Sequence, residues 1–448
     1  MTKQLQLSAL STAIIFLTLN PTAQAQDSAQ MLDNVQVTAN RLDQAVNRST
    51  ASITVLDRAD IDASQAIDVA DLLGQQVGID VVRTGGTGSQ TSIFMRGGNS
   101  NYTLVLIDGI RVNSATQGLY DFAHLNLANI ERIEIVRGPR ASVWGSDSIS
   151  GVIQIFTRSP KGFSAELNTG SFQRYGGDIG YGMGDEQSNF GFIAGYESLN
   201  GYSATNPNNV WNYDPDNDGY QNSHFGLNAQ TTLGTQVIAF SGLYSDAESE
   251  FDQGETKSKN YNWNASVSGK VNTLWNQNLN IGQYYEKLDT PAYFSVFGSK
   301  RNSIDWVNTL SSSAATQWVL GVNWSQVEGY SNGFDGPEYN ETTSNTGAFV
   351  VFNANIDNHN FELATRYDDN SQFGSKSTSS AGWAWQINEA NRIRASWGQG
   401  FRAPNFNELY YPGFFGFYEG NPDLKPEQST STELGYSIFF NKEINLEI

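Results

Sequence analysis

The chain has 448 residues, a net charge of −20, 43 Gly, 12% aromatic residues and no Cys. That length allows two or three domains with a sizeable core. The lack of Cys excludes a disulfide scaffold and thiolate-held metals, and the acidity leaves a nucleic-acid partner without support, since like charges repel.

Residues 1–25 read as a secretory signal peptide. Lys3 supplies the positive start, residues 10–19 form an apolar stretch too short to span a bilayer, and Ala23-Gln24-Ala25 offers an A-x-A cleavage site. No later segment has the ~18 uncharged apolar residues of a transmembrane helix. An exported chain of this kind is periplasmic, secreted or a β-barrel.

Residues 26–48 are polar and poorly patterned, as expected of an N-terminal arm. Within it Val35, Val37 and Ala39 alternate with Gln36 and Thr38. An extended, unpaired strand can add to the sheet edge of a partner, although an ordinary edge strand reads the same. Residues 49–160 have the pattern of a small α+β domain. A short helix is expected at 67–73, stopped by Gly74, with strands at 104–107 and 130–136. Asp108-Gly109 marks a turn, because Gly tolerates positive φ. Arg83, Arg96, Arg111, Arg132, Arg137 and Arg140 are among the arginines that crowd this domain.

From 161 to 448 the texture changes to strand alternation. Phe361, Leu363, Thr365 and Tyr367 alternate with Glu362, Ala364, Arg366 and Asp368; Ile393, Ala395 and Trp397 alternate with Arg392, Arg394 and Ser396. Each strand has one apolar face and one mostly polar face. A soluble sandwich shows the same alternation in any one strand. Here it recurs to the end of the chain, with apolar faces rich in Trp, Tyr and Phe, and short turns such as 388–389 alternate with long polar loops expected at 200–222 and 246–259. That combination predicts a transmembrane antiparallel β-barrel, with about fourteen or fifteen strands present. Aqueous pairing is unavailable in lipid, so a closed sheet is the arrangement that satisfies its backbone.

Asp214-Pro215-Asp216-Asn217-Asp218-Gly219 places oxygen donors at alternate positions before a Gly, like the first half of an EF-hand loop. The twelfth position is Phe225, so a hard cation needs donors from a second loop, and Asp252 with Glu255 are the natural source. A polar hairpin loop of Asp and Asn is the plainer alternative. His124, His224 and His359 lie far apart, Gly85-Gly86-Thr87-Gly88 lacks the frame of a phosphate loop, and G-x-S-x-G is absent. No catalytic constellation is present, and the protein is expected not to be an enzyme.

Residues 137–155 (RGPRASVWGSDSISGVIQI) resemble the closing signature of the plug domain of TonB-dependent outer-membrane receptors. Residues 33–41 (DNVQVTANR) look like their TonB box, and residues 91–99 with 104–113 like the plug's central sheet. Residues 366–374, 401–405 (FRAPN) and 421–427 (NPDLKPE) match barrel motifs. The resemblance runs from about Asp33 to the end and is closest to the cobalamin receptors. It implies an α+β plug inside a barrel of about 22 strands. On that footing the chain, which stops as another strand begins, lacks about 150 residues of barrel. It implies import of cobalamin and pairing of Asp33, Asn34, Val35, Gln36, Val37, Thr38 and Ala39 with TonB, energised by ExbB and ExbD, in outer-membrane lipid. Substrate contacts fall on Gln90, Ser92, Asn99, Gln117 and Gly118. Calcium ligands fall on Asp214, Asp216, Asp218 and Asp252, with Ser203 where the family commonly has Asp and Phe251 where it has Tyr. Pairing of plug arginines with barrel acids such as Glu362, Asp368 and Glu433 is a further expectation. The alternatives are a ferric-siderophore or other metal-chelate receptor and, in another class, a surface adhesin or structural barrel.

Overall fold

The computed structural model describes residues 36–38, 41, 44–209, 213–413, 418–439 and 445–448. The expected signal peptide (1–25), Asp33, Asn34, Val35 and Ala39 lie outside them.

The N-terminal domain is built on a five-stranded sheet in the order Ser52–Leu56, Ile130–Arg137, Gly151–Thr157, Thr103–Ile107, Ile110–Arg111. Gly151–Thr157 and Thr103–Ile107 run parallel, and the other neighbours are antiparallel. The run Thr103–Ile107 is buried at all five positions. A strand covered on both faces needs a continuous apolar sequence of this kind. The turn after it places Asp108 at φ 48° and Gly109 at φ 84°, the double positive φ of a tight hairpin. The Asp108 carboxylate accepts the Thr157 N–H at 2.9 Å and its hydroxyl at 2.7 Å, tying the turn to the last strand. The expected helix forms over Val69–Gly74, because the Asp68 side chain caps the Asp71 N–H and so sets its start. Leu72, Leu73, Ile93, Ile133, Ile135, Ile153 and Ile155 close the core.

Fifteen strands, from Gly162–Gly170 to Asn445–Glu447, form one sheet in strict sequence order, each antiparallel to the next. The first and last strands pair on one side only among the described residues. At one end the described connections are two to four residues, such as 234–235 and 357–358; the other end carries 200–219 and 403–426. The long loop expected at 246–259 is absent. Strands Gln236–Phe251 and Gly254–Lys270 instead continue to a tight turn at Asp252-Gln253, because backbone pairing persists where the sequence turns polar.

Side chains from Tyr220–Leu233 through Glu427–Phe439 reach the N-terminal domain, so the sheet curves around it. Asn264 Nδ2 donates to the Asp108 carbonyl at 3.0 Å, Ser299 Oγ accepts the Ala115 N–H at 2.8 Å, and the hydroxyls of Ser142 and Ser380 lie 2.7 Å apart. Burial follows this geometry. Glu362, Arg366 and Asp368 are each only 2% exposed, while Leu363 and Tyr367 on the other face are 55% and 51% exposed. Charge inside and aromatic or aliphatic residues outside is the reverse of a water-soluble sandwich. No helix among the described residues is long and apolar enough to cross a membrane.

Leu363→Arg is therefore expected to cost roughly 2–4 kcal/mol near the bilayer centre. Urea unfolding in phospholipid vesicles measures it, and an unchanged midpoint would contradict the outward, lipid-facing assignment.

Candidate functional site

The N-terminal domain presents a polar surface at the end carrying the long connections. Gln90 Nε2 donates to Gln117 Oε1, and the Gln117 carbonyl accepts from Asn405 Nδ2 at 3.0 Å. Gly118 has φ +78°, and a Cβ there would meet Asn405 Nδ2 at 3.2 Å and Asn101 Cβ at 3.3 Å, so the backbone approaches the wall closely. Asn99 leads into the short turn Ser100–Tyr102, and Ser92 is half-buried in the strand Thr91–Met95. Gln90, Gln117 and Gly118 thus share one rim, with Asn99 and Ser92 on adjoining segments.

Sequence reasoning gave no role to the wall residues that fix this surface. Arg402 grips Glu408 through two bonds of 2.7 and 3.0 Å and also pairs with Glu427, whose other oxygen takes the Tyr102 hydroxyl. Asn405 caps the helix Phe406–Tyr410 through the Glu408 N–H at 2.9 Å. The signal was in the FRAPN and NPDLKPE motifs, which contain Arg402, Asn405 and Glu427 but not Glu408, and not in their spacing, since Arg402 and Glu427 lie on opposite sides of a 24-residue connection.

At the same end the loop 200–219 folds onto the Asp252 turn. Asp252 Oδ1 accepts the Asp214 N–H at 2.8 Å and the Ser203 hydroxyl at 3.2 Å; Asp218 Oδ2 accepts the Ala204 N–H at 2.7 Å. Burial pushes the Asp218 carboxyl above its ordinary range, and Asp252, Asp216 and Glu250 add to the push against that N–H. Glu255 is held by Lys257 at 2.7 Å, whereas Glu250 approaches the loop by accepting the Gly219 N–H at 2.8 Å. Phe251 stacks on Tyr293 with centroids 5.6 Å apart. Among the described residues no three acidic or histidine side chains are already arranged as a metal site. The donor chemistry nonetheless suits a hard cation, since the mutually repelling carboxylates of Asp216, Asp218, Asp252 and Glu250 are gathered there.

The six arginines named above divide. Arg96 reaches Glu433 at 2.7 Å and Arg140 reaches Glu362 at 3.6 Å, both across to the wall. Arg83 pairs with Asp68, Arg111 with Asp147 and Arg132 with Glu134, all within the domain, and Arg137 donates to Thr54 and the Val77 carbonyl. Asp368 is taken by Arg366 of its own strand at 2.6 Å, not by a domain arginine as expected. Residues two apart in a strand share a face, so this local partner wins.

The histidines have structural roles. His124 stacks on Tyr220, His224 Nε2 lies 3.1 Å from Asp178, and His359 stacks on Trp383 and Trp385. Burial pushes His124 below its ordinary range, with Asp121 opposing.

The described residues of the arm (36–38, 41 and 44–48) are stowed inside the bore. Gln36–Val37 pairs with Gln44–Ala45, and the Thr38 N–H and hydroxyl donate to Glu134 at 3.0 and 3.1 Å. Arg41 makes an ion pair with Asp305 of the wall and lies over the rings of Trp144 (4.1 Å) and Phe349 (4.9 Å). Burial pushes the Arg41 guanidinium below its ordinary value, Asp305 opposes this, and nearby Arg366 and Arg111 reinforce it. The pairing with Asp305 spans 264 residues.

Room for Arg366 beside the arm depends on glycine. A Cβ on Gly347 would lie 2.0 Å from Arg366 Nη2, and one on Gly145, at φ +84°, would lie 3.1 Å from Arg366 Nε. Gly145→Ala is expected to destabilise by about 1–3 kcal/mol through backbone strain, with Arg366 displaced as well. Denaturant titration checks this, and a neutral result would show that the guanidinium gives way freely.

Residues 45–152 match the model of the TonB-dependent receptor plug domain, and residues 162–448 that of the TonB-dependent receptor-like β-barrel. The chain belongs to the TonB-dependent receptor family, outer-membrane barrels with an N-terminal plug. Among relatives it is similar to the vitamin B12 transporter BtuB of Photobacterium profundum, 33% identical over 428 residues, which cover 90% of this chain and 67% of that one. The protein of the same name from Vibrio vulnificus is 32% identical over 434 residues, covering 91% and 67%. Among solved structures, a mutant ferric enterobactin receptor (PfeA) of Pseudomonas aeruginosa superposes with a TM-score of 0.70 at 14% identity, covering 93% of this chain and 70% of that one. The siderophore receptor PirA of Acinetobacter baumannii gives 0.68 at 17%, covering 86% and 68%. At such identities these structures speak for the fold alone.

Proposed function

We propose that the chain imports cobalamin across the outer membrane, driven by TonB. One-third identity to vitamin B12 transporters over nine-tenths of the chain carries the reading, and the carboxylate loop beside the apical surface supports it.

Ligand docks on the polar rim of Gln90, Gln117 and Gly118, with Ser92 and Asn99 beside it. Calcium, when bound, would neutralise Asp214, Asp216, Asp218 and Asp252, with Glu255 or Glu250 as a further oxygen source, and stiffen the loop over that rim. The segment 33–41, whose residues 36–38 and 41 are stowed, is exported behind the signal peptide and is the handle. Its alternating side chains suit addition to a sheet edge of TonB, energised by ExbB and ExbD. The Thr38 and Arg41 contacts must break before that edge is available. Pulling then acts on the plug, which is held to the wall by Arg96–Glu433 and Arg140–Glu362.

Binding of labelled cobalamin to outer membranes containing the protein tests this. The expected result is saturable binding that weakens at least tenfold on calcium chelation and in Asp218→Asn/Asp252→Asn. Binding indifferent to chelation removes calcium from the reading. A ferric siderophore binding where cobalamin does not would replace the substrate.

A further inference from the structure

Between plug and wall lies a cavity of about 550 Å³, within the range of small-molecule sites. Its lining runs from Gly118 and Asn405 at the apical end to Arg41 and Asp305 at the stowed arm. Six cationic side chains line it against three aspartates, although the chain as a whole carries −20.

The cationic surplus is not internally matched. Arg301, on the strand Ser295–Ser311, is 9% exposed and makes no hydrogen bond or ion pair among the described residues; its buried Nε has no partner. The carboxylate nearest in charge, Asp147, already accepts Arg111 at 3.2 Å and the Ser146 hydroxyl at 2.7 Å. Arg366, 2% exposed, holds Asp368 through Nε and Nη2 at 2.7 and 2.6 Å and leaves buried Nη1 without a partner. Taking a guanidinium out of water is strongly unfavourable unless an opposite charge and hydrogen-bond acceptors meet it. Planar N–H forks are matched by the paired oxygens of phosphate or carboxylate.

We propose that this chamber is an oxyanion-binding subsite, with Arg301 as its principal donor and Arg366 and Arg111 beside it, distinct from the apical docking rim. It takes a phosphate or carboxylate group, either as a resident free anion or as part of a solute passing from apex to arm. Its place on the route gives it a use in transit: an anionic group leaving the apex meets fixed donors before the arm's end of the cavity. Asp305, masked by Arg41 while the arm is stowed, becomes an uncompensated charge when the arm is drawn out, which would weaken the chamber's hold on the anion. The subsite does not depend on which chelate the apex binds.

The test is calorimetry with inorganic phosphate on the purified full chain in detergent at low chloride. One saturable site is expected, weakened at least tenfold in Arg301→Gln and less in Arg301→Lys, with the heat-dependent gel shift of a folded barrel confirming each variant. No saturable binding by the native chain, or equal binding by Arg301→Gln, overturns the proposal. Uptake of labelled cobalamin by cells separates the two sources. Slower uptake by Arg301→Gln with unchanged surface binding marks an anionic group of the solute, and unchanged uptake with lost phosphate binding marks a resident anion. If cobalamin does not bind at all, the proposed substrate fails while the phosphate result still decides the subsite.

Discussion

A chain lacking residues 33–41 is expected to bind cobalamin at the cell surface as tightly as the native protein and to import none of it. The apical rim and the carboxylate loop lie at the end with long connections. The arm meets the opposite end, where the Arg48 carbonyl accepts Asn360 Nδ2 at 2.7 Å beside the short turn 357–358. Docking and traction are therefore separate in space. Removing the segment takes away the strand that would add to the TonB sheet and leaves the rim untouched. Uptake should fall to the level of cells without the receptor. Equal loss of binding would show that the arm supports the apex, and retained uptake would remove TonB pairing from the mechanism. An adhesin would be indifferent to the deletion.

Asp305→Asn is expected to free the arm without ligand. Arg41 and Asp305 have side chains only 8% and 18% exposed. Breaking a buried pair by neutralising one member leaves the other charge uncompensated, at about 3–5 kcal/mol. The rings of Trp144 and Phe349 hold the guanidinium before and after the change, so their cation–π attraction does not offset that loss. The loss shifts the stowed-to-free equilibrium by roughly a hundredfold or more. Capture of the ligand-free receptor by the TonB C-terminal domain, or proteolysis within 33–41, reads the change. A capture level equal to that of the native chain would mean that the Thr38–Glu134 and Gln36–Ala45 contacts hold the arm by themselves.

The outward-facing strands were legible because lipid demands an unusual pattern. Leu363 and Tyr367 outside with Glu362 and Arg366 inside is written in period two, and the inverted burial follows from it. The plug's central strand was legible for the same local reason, as the apolar run 104–107, and the structure adds Thr103 to a strand buried on both faces. Polar hairpin ends were harder. Residues 246–259 read as loop because their side chains favour water, yet the strands run on to Asp252, since ladder hydrogen bonds form irrespective of side-chain polarity outside the membrane. Charge pairing was legible only as an expectation that arginines meet acids. Arg96 and Arg140 do reach the wall, but which acid each takes depends on three-dimensional register, and Arg366 claimed Asp368 locally. Arg41 and Asp305 carried no mutual signal, and neither did Gly145 and Gly347, which are glycine because one guanidinium passes between them.

The plug's seat inside the wall can be tested with one disulfide. The chain has no cysteine of its own, and the Ser142 and Ser380 hydroxyls, one on the plug and one on the strand Gly374–Asn388, are 2.7 Å apart, so thiols in their place would meet. Ser142→Cys/Ser380→Cys in native outer membranes should cross-link nearly completely under mild oxidation, keep cobalamin binding, stop uptake and recover it on reduction. Two free thiols that stay reduced while the barrel is folded would place residues 50–157 outside the bore.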